Sequence, residues 1–165
     1  MRVLLLTNEY PPHIYGGAGV HIQHLSRELS RLCEVEVLCF GDQLQEALPL
    51  VVEGIPLPSP IVPREKSHAS ALNALQRNLQ MAACTRGPQI VHCHTWYTHF
   101  GGILVRETQS VPLVLTTHSL EPSRPWKAEQ LGVGGYNLSC WIERTAYQTA
   151  DGIVAVSQEM AKDVQ

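Results

Sequence analysis

Apolar and polar positions fall in blocks along this chain, and the spacing inside each block separates two kinds of element. Short apolar runs bounded by turn residues occur at Val3–Thr7, Val35–Phe40, Val51–Pro58, Gln89–His94, Pro112–His118 and Ile153–Val156. Runs of that length, apolar at successive positions, predict strands buried on both faces, as in the middle of a parallel sheet. The Val51–Pro58 run is the weakest, and Pro49, Pro56 and Pro58 place it at an edge. Between the runs the apolar spacing changes to threes and fours. Ile22, Leu25, Leu29 and Leu32 predict one face of a helix beginning near Val20. Ala71/Leu72, Leu75, Leu79 and Ala82/Ala83 predict another over Ser67–Thr85, ended by Gly87-Pro88. A short helix is expected near Tyr97–Glu107. Leu138, Trp141/Ile142, Thr145/Ala146 and Thr149 mark a further one, and Ser157 is placed to cap the next. Strands alternating with helices predict an α/β fold, a Rossmann-like open parallel sheet with helices on both faces and right-handed crossovers.

Composition narrows the function classes. The 165 residues are about one domain's worth, at ~100–200 residues per domain. Net charge is −3, with 12 basic and 15 acidic residues intermixed, so no basic stripe marks a nucleic-acid partner or a membrane surface. The N-terminal apolar run of about five residues is shorter than the ~7–15 of an export signal, and no run approaches the ~18 of a membrane span. A cytoplasmic location is expected. Cys33, Cys39, Cys84, Cys93 and Cys140 form no CxxC pair; Cys39, Cys84 and Cys93 sit in apolar runs, which predicts reduced core thiols.

Ligands of open parallel sheets bind outside the carboxyl ends of the strands. Here that rim comprises Glu9–Gly19, Thr95-Trp96-Tyr97, His118–Pro125 and Ser157, rich in Gly, His, Trp, Tyr and Pro. The opposite loops, Arg86-Gly87-Pro88 and Ala150-Asp151-Gly152, are short and plain. The stretch TNEYPPHIYGGAG, residues 7–19, runs from a strand through a glycine-rich loop into a helix. Free N–H groups and the helix dipole make such a corner an anion site, and glycine lets a ligand approach the backbone. The alternative is a turn with nothing bound. A dinucleotide fingerprint is disfavoured, because Ile22 fills its third glycine place and the loop before Gly17 is long. His92 and His94 share a strand face, but no third metal ligand lies near them in sequence. His94 is close enough to the strand end to reach the rim; His92 reads as a core histidine, and His21 and His24 as solvated helix positions. His118 follows Thr116-Thr117 at the end of an apolar strand and opens a polar excursion to Tyr136 that carries Glu121, Arg124, Trp126, Lys127 and Glu129. Charged groups beside an indole suit a sugar, whose hydroxyls bond to the charges while its C–H face stacks on the ring. An ordinary charged surface loop is the alternative.

The stretches TNEYPPHIYGGAGVH, VHCHTW, THSLEPSRPWKAEQLGVGGY and ADGIVAVSQEM resemble the N-terminal half of retaining GT-B glycosyltransferases, in the group of bacterial glycogen synthases and maltose-1-phosphate synthases. The likeness covers all 165 residues; residues 120–136 are specific to that group, whereas YGGAG and AVS are widely shared. It implies that residues 1–165 are the acceptor-side domain, ending inside its last crossover, and that a second domain holding the nucleotide lies outside this chain. Such a fragment is expected not to transfer sugar alone. The implied reaction moves glucose from a nucleotide sugar, ADP-glucose foremost, to an α-glucan or glucose 1-phosphate with retention of configuration. Gly16 and Gly17 would face the donor diphosphate, and His118 the donor sugar near its reacting carbon. Glu9, Tyr10, Trp96 and Tyr97 would line the acceptor side, with Arg124, Trp126 and Lys127 closing over acceptor or sugar. Tyr15 and Val20 stand where starch synthases carry a lysine and an aspartate, so that group's acceptor contacts do not carry over. No cofactor or metal is implied; the partners are the two substrates and the second domain, with no nucleic acid and no membrane. A stand-alone glucan-binding or regulatory domain, a GT-B enzyme with a sucrose-type, lipid or other sugar-phosphate acceptor, and a sugar-nucleotide epimerase remain open.

Overall fold

The first strand, β1 (Arg2–Thr7), is apolar at every central position, and its period of two sorts those residues between two cores. Val3 and Leu5 pack with Ile22, Val37 and Val52 on one side; Leu4 and Leu6 pack with Met81, Val105 and Leu115 on the other. The computed structural model describes residues 1–164. In chain order β1 is followed by α1 (Gly17–Leu29), β2 (Glu34–Phe40), β3 (Leu44–Ala47), β4 (Leu50–Ile55), α2 (Ala69–Cys84), β5 (Ile90–Cys93), α3 (Trp96–Gln109), β6 (Leu113–Thr117), α4 (Lys127–Thr149), β7 (Gly152–Ala155) and α5 (Gln158–Asp163). One seven-stranded sheet results, in the order β3-β4-β2-β1-β5-β6-β7. Every pairing is parallel except β3 with β4. The α/β class and the open, mostly parallel sheet are as the periodicity predicts.

Several elements differ from the sequence expectation. The strand expected at the edge is β4, and it is interior: an added antiparallel strand, β3, covers it, with Gln45 opposite Val52. All four β3 residues are exposed, so no apolar run announced it. Helix α1 buries Gly19, Ile22 and Ser26, while Leu32 lies beyond its end and is exposed. Helix α2 is rotated from its predicted face. Its buried positions are Ala71, Ala74, Asn78 and Met81, and Leu79 faces solvent. The rotation puts Asn78 between helices, where its Nδ2 donates to the Tyr97 carbonyl at 2.7 Å and its Oδ1 accepts from the Gly101 N–H at 2.5 Å. Much of the expected polar excursion after His118 is helix, since α4 starts at Lys127. It kinks at Gly132 (φ 68°), where a side chain would meet both left-handed backbone strain and the Ser67 hydroxyl. Cys84 is exposed at the end of α2 rather than buried, and all five cysteines are free thiols. No helix among the described residues is long and apolar enough to cross a membrane.

The amino ends of the strands are closed by ion pairs. Arg86 reaches Glu36, Glu53 and Glu46 at 3.4, 3.3 and 3.8 Å, and Arg2 pairs with Glu34 at 2.9 Å. This clamp leaves the carboxyl ends as the open rim.

Candidate functional site

β1, β5 and β6 are neighbours in the sheet, and their carboxyl ends deliver Asn8–Glu9, His94–Thr95 and His118–Ser119 to one place. A cavity of about 470 Å³ lies there, between the start of α1, the start of α3 and the β6–α4 connection. Glu9, Gly16, Gly17, Trp96, Tyr97, His118, Arg124 and Lys127 all line it. Two residues expected with them do not. Tyr10 is turned into the core beside α1, its hydroxyl 2.9 Å from Ser26 Oγ; its ring continues the apolar face of β1 instead of facing the rim. Trp126 is exposed at the start of α4, outside the cavity lining.

The glycine corner is built differently from a bare anion hole. Glu9 Oε2 accepts the N–H groups of Tyr15 and Gly16, both at 2.9 Å, so the side chain of the loop's own acid holds the turn. Gly19 is buried against that carboxylate: a β-carbon there would lie 2.8 Å from Glu9 Oε2 and 3.0 Å from Ile14. At Gly16 and Gly17 a β-carbon would meet nothing within 4 Å. The first backbone bond into the helix is Val20 N–H to the Gly16 carbonyl. The N–H groups of Gly17, Ala18 and Gly19 therefore make no backbone hydrogen bond, as at any helix start. Gly17 and Ala18 line the cavity and leave positive dipole on its wall.

Opposite stands a cluster of four histidines. His94 is buried at the end of β5, with Nδ1 3.4 Å from His118 Nε2. His21 packs edge-on against His118, centroids 5.0 Å apart, and 5.6 Å from His94. Its position on α1 thus points inward, where the helix pattern suggested solvent; His24 is exposed as expected. The His92 ring packs at a tilt against His94, centroids 4.3 Å apart, and bonds Thr116 Oγ1 at 2.7 Å, a satisfied core histidine. Burial above all, then the neighbouring rings, pushes His92 and His118 down to about 4, and His94 well below its ordinary value. All three are neutral at physiological pH. Among the described residues no three His, Cys, Asp or Glu side chains converge as metal ligands.

The third wall is polar and buried. Glu143, on the inner face of α4, accepts the Glu121 N–H at 2.7 Å. Glu121 in turn accepts from Ser139 Oγ at 3.3 Å and lies 3.6 Å from Arg124. Desolvation raises both carboxyls, Glu143 to about 7. The Arg124 guanidinium also donates to Ser119 Oγ at 3.1 Å, and Lys127 Nζ stands 5.8 Å from the centroid of the Tyr97 ring. Tyr97 stacks on Trp96 at 4.2 Å, but Trp96 is itself buried in a small core with Ala71, Leu131 and Ile142, offering the cavity little of its face. Past Tyr15 and Tyr97 a second cavity of about 540 Å³ opens. Its lining includes no Asp or Glu, and its arginine is Arg77, held over the Phe40 ring at 4.7 Å with Nε donating to the Ile55 carbonyl.

Sequence reasoning missed Asn8, His21, His99, Glu143 and Tyr147, which also take part in this region. Asn8, bonded to Thr95 at 2.7 Å, was findable, since it directly follows β1, whose carboxyl end lies at the rim. Glu143 had a signal too: an acid on the same stripe as Ser139, Ile142 and Ala146 must be buried.

The profile of Glycosyltransferase Family 4 matches residues 15–165. Alpha-maltose-1-phosphate synthase of Mycolicibacterium smegmatis is 46% identical over 164 residues, 99% of this chain and 40% of that protein. Glycogen synthase of Mycobacterium tuberculosis is 26% identical over 186 aligned residues, 99% of this chain and 44% of that protein. Sucrose-phosphate synthase from Thermosynechococcus elongatus superposes with a TM-score of 0.67 at 16% identity, over 98% of this chain and 44% of that one, a likeness of fold. The chain thus spans well under half the length of each of these relatives.

Proposed function

The chain belongs to Glycosyltransferase Family 4, and from that premise we propose that it is the acceptor-side lobe of a retaining glucosyltransferase that uses a nucleotide sugar, ADP-glucose foremost. The observation that carries this reading is one cavity with two unlike walls. The open start of α1 at Gly17 and Ala18 offers positive dipole to a departing diphosphate, and neutral His118 offers a polar contact to the sugar being transferred. Rate enhancement then comes from stabilising charge on the leaving group and from placing the acceptor hydroxyl. Glu9 supports the corner by holding Tyr15 and Gly16, and Tyr97, Arg124 and Lys127 border the acceptor's path. A second lobe, carrying the nucleotide site, completes the cleft; the chain alone is inactive. The protein works in the cytoplasm, with its substrates and that lobe as partners.

Glucose 1-phosphate is the favoured acceptor. The 46% identity to a maltose-1-phosphate synthase supports it, as do the cations Arg77, Arg124 and Lys127 along the two adjoining cavities. An α-glucan is the second reading, favoured by the likeness to a glycogen synthase. Labelled ADP-glucose supplied to the two-lobed enzyme with each acceptor, followed by chromatography, separates them: maltose 1-phosphate supports the first, elongated glucan the second. No transfer to either overturns the proposal, and turnover by the 165-residue chain alone overturns its requirement for a second lobe.

A further inference from the structure

We propose that His94 is a positioning residue for His118, fixing that ring's orientation and tautomer through one hydrogen bond between His94 Nδ1 and His118 Nε2. The pairing stands on geometry; its importance for turnover rests on the proposed function. His94 is fully buried, and its other nitrogen, Nε2, has no partner among the described residues. The 3.4 Å contact with His118 is therefore the only hydrogen bond its ring makes there. Burying an imidazole for a single bond is costly, and a core apolar side chain in its place would carry no such penalty. Nothing nearby competes for the bond. His92 packs at a tilt against His94 but has its Nε2 hydrogen-bonded to Thr116 Oγ1, and His21 braces His118 edge-on.

The chemistry of neutral imidazole makes the pairing specific. Each ring carries one N–H and one bare nitrogen. If His94 donates, its proton is on Nδ1; His118 then accepts at Nε2 and carries its own proton on Nδ1. If His118 donates from Nε2, His94 must be bare at Nδ1 and protonated at Nε2. Both rings therefore hold the proton on the same type of nitrogen, either δ in both or ε in both. The opposite combinations bring two lone pairs or two protons together. Either matched state leaves His118 Nδ1 with one defined role, donor or acceptor, and a flipped ring loses the bond.

Long-range ¹H–¹⁵N correlation of histidine-labelled protein at neutral pH reads the tautomers directly. Matched tautomers for His94 and His118 are expected; one δ and one ε ring overturns the proposal. His94→Leu should leave His118 averaging between tautomers, whereas His94→Asn, whose amide lies near the Nδ1 position, should restore a single state. A His118 tautomer unmoved by His94→Leu overturns the proposal, and if that variant does not fold, the wild-type tautomers decide. In the two-lobed enzyme His94→Leu should lower kcat about tenfold with acceptor KM unchanged, and His94→Asn should recover most of it. A kcat that falls with His118→Ala but not with His94→Leu overturns the positioning role. A kcat indifferent to both, with tautomers matched, instead overturns the proposed function and leaves the pairing intact.

Discussion

Two glycines two positions apart in the first turn of α1, Gly17 and Gly19, should respond in opposite ways to a side chain. At Gly17 an added β-carbon meets nothing within 4 Å, and the residue opens α1 with ordinary backbone angles. Gly17→Ala should therefore leave the fold intact, and by restricting the unfolded chain should stabilise it by about 0.4–1 kcal/mol. For a domain of this size that is a rise in Tm of roughly 1–4 °C. Gly19→Ala is the contrast. Its β-carbon would sit 2.8 Å from Glu9 Oε2 and 3.0 Å from Ile14 Cγ2, displacing the carboxylate that holds the Tyr15 and Gly16 N–H groups. Overpacking of that kind costs about 1–3 kcal/mol, and the loop's charge-assisted bonds weaken with it. Donor affinity should separate the two effects. The larger Gly17→Val fills space on the cavity side of the helix start and should weaken nucleotide-sugar binding by about ten- to a hundredfold, the worth of one lost hydrogen bond to a charged group. Differential scanning calorimetry on the chain and isothermal titration of ADP-glucose into the two-lobed enzyme supply both numbers. A lowered Tm for Gly17→Ala, or undiminished donor affinity for Gly17→Val, would refute the reasoning and reduce the glycine loop to a turn.

Other substitutions test separate parts of the account. His118→Ala should lower kcat of the two-lobed enzyme by ~10²-fold, as loss of one preorganised polar contact does; an unchanged kcat removes it from the site. Asn78→Ala strands the Gly101 N–H and the Tyr97 carbonyl between α2 and α3, and should cost roughly 2–4 kcal/mol in urea denaturation with little change in acceptor affinity. Burial raises Glu143 from an ordinary 4.5 to about 7, so between those values the folded state binds more protons than the unfolded state. Its contribution to stability is complete below about 4.5 and declines as pH climbs to about 7, by up to about 3 kcal/mol. Subtracting the pH–stability curve of Glu143→Gln from that of wild type isolates this decline, and a flat difference contradicts it.

The sheet was legible because its strands are buried on both sides: β1, β2, β5 and β6 are apolar runs that few other contexts would tolerate. Where burial and polarity part company, the pattern misled. β3 is entirely exposed and pairs only through its backbone with β4, so nothing in its side chains announced it. α2 turns Leu79 outward because a polar residue, Asn78, has more to gain between helices, bonding two backbone groups that hydrophobic contact cannot satisfy. At the rim, topology alone brings residues within a few positions of the strand ends together, and Glu9, Trp96, Tyr97 and His118 line one cavity. Tyr10 failed because a β-bridge between Tyr10 and His13 turns the chain, aiming its ring into the core. His21 and Glu143 reach the cavity region from helices whose rotation is set by packing, which no single-chain periodicity resolves.

The proposed function requires sugar acceptors to enter the cavity at the carboxyl ends of β1, β5 and β6. Titrating the ¹⁵N-labelled protein with glucose 1-phosphate, and separately with maltose, tests that most directly. The amides of Gly17, Tyr97, Ser119 and Lys127 and the ring of His118 should shift in a saturable way, with residues around Arg86 at the opposite edge unmoved. Shifts confined to the Arg86 edge, or none with either sugar, would contradict it.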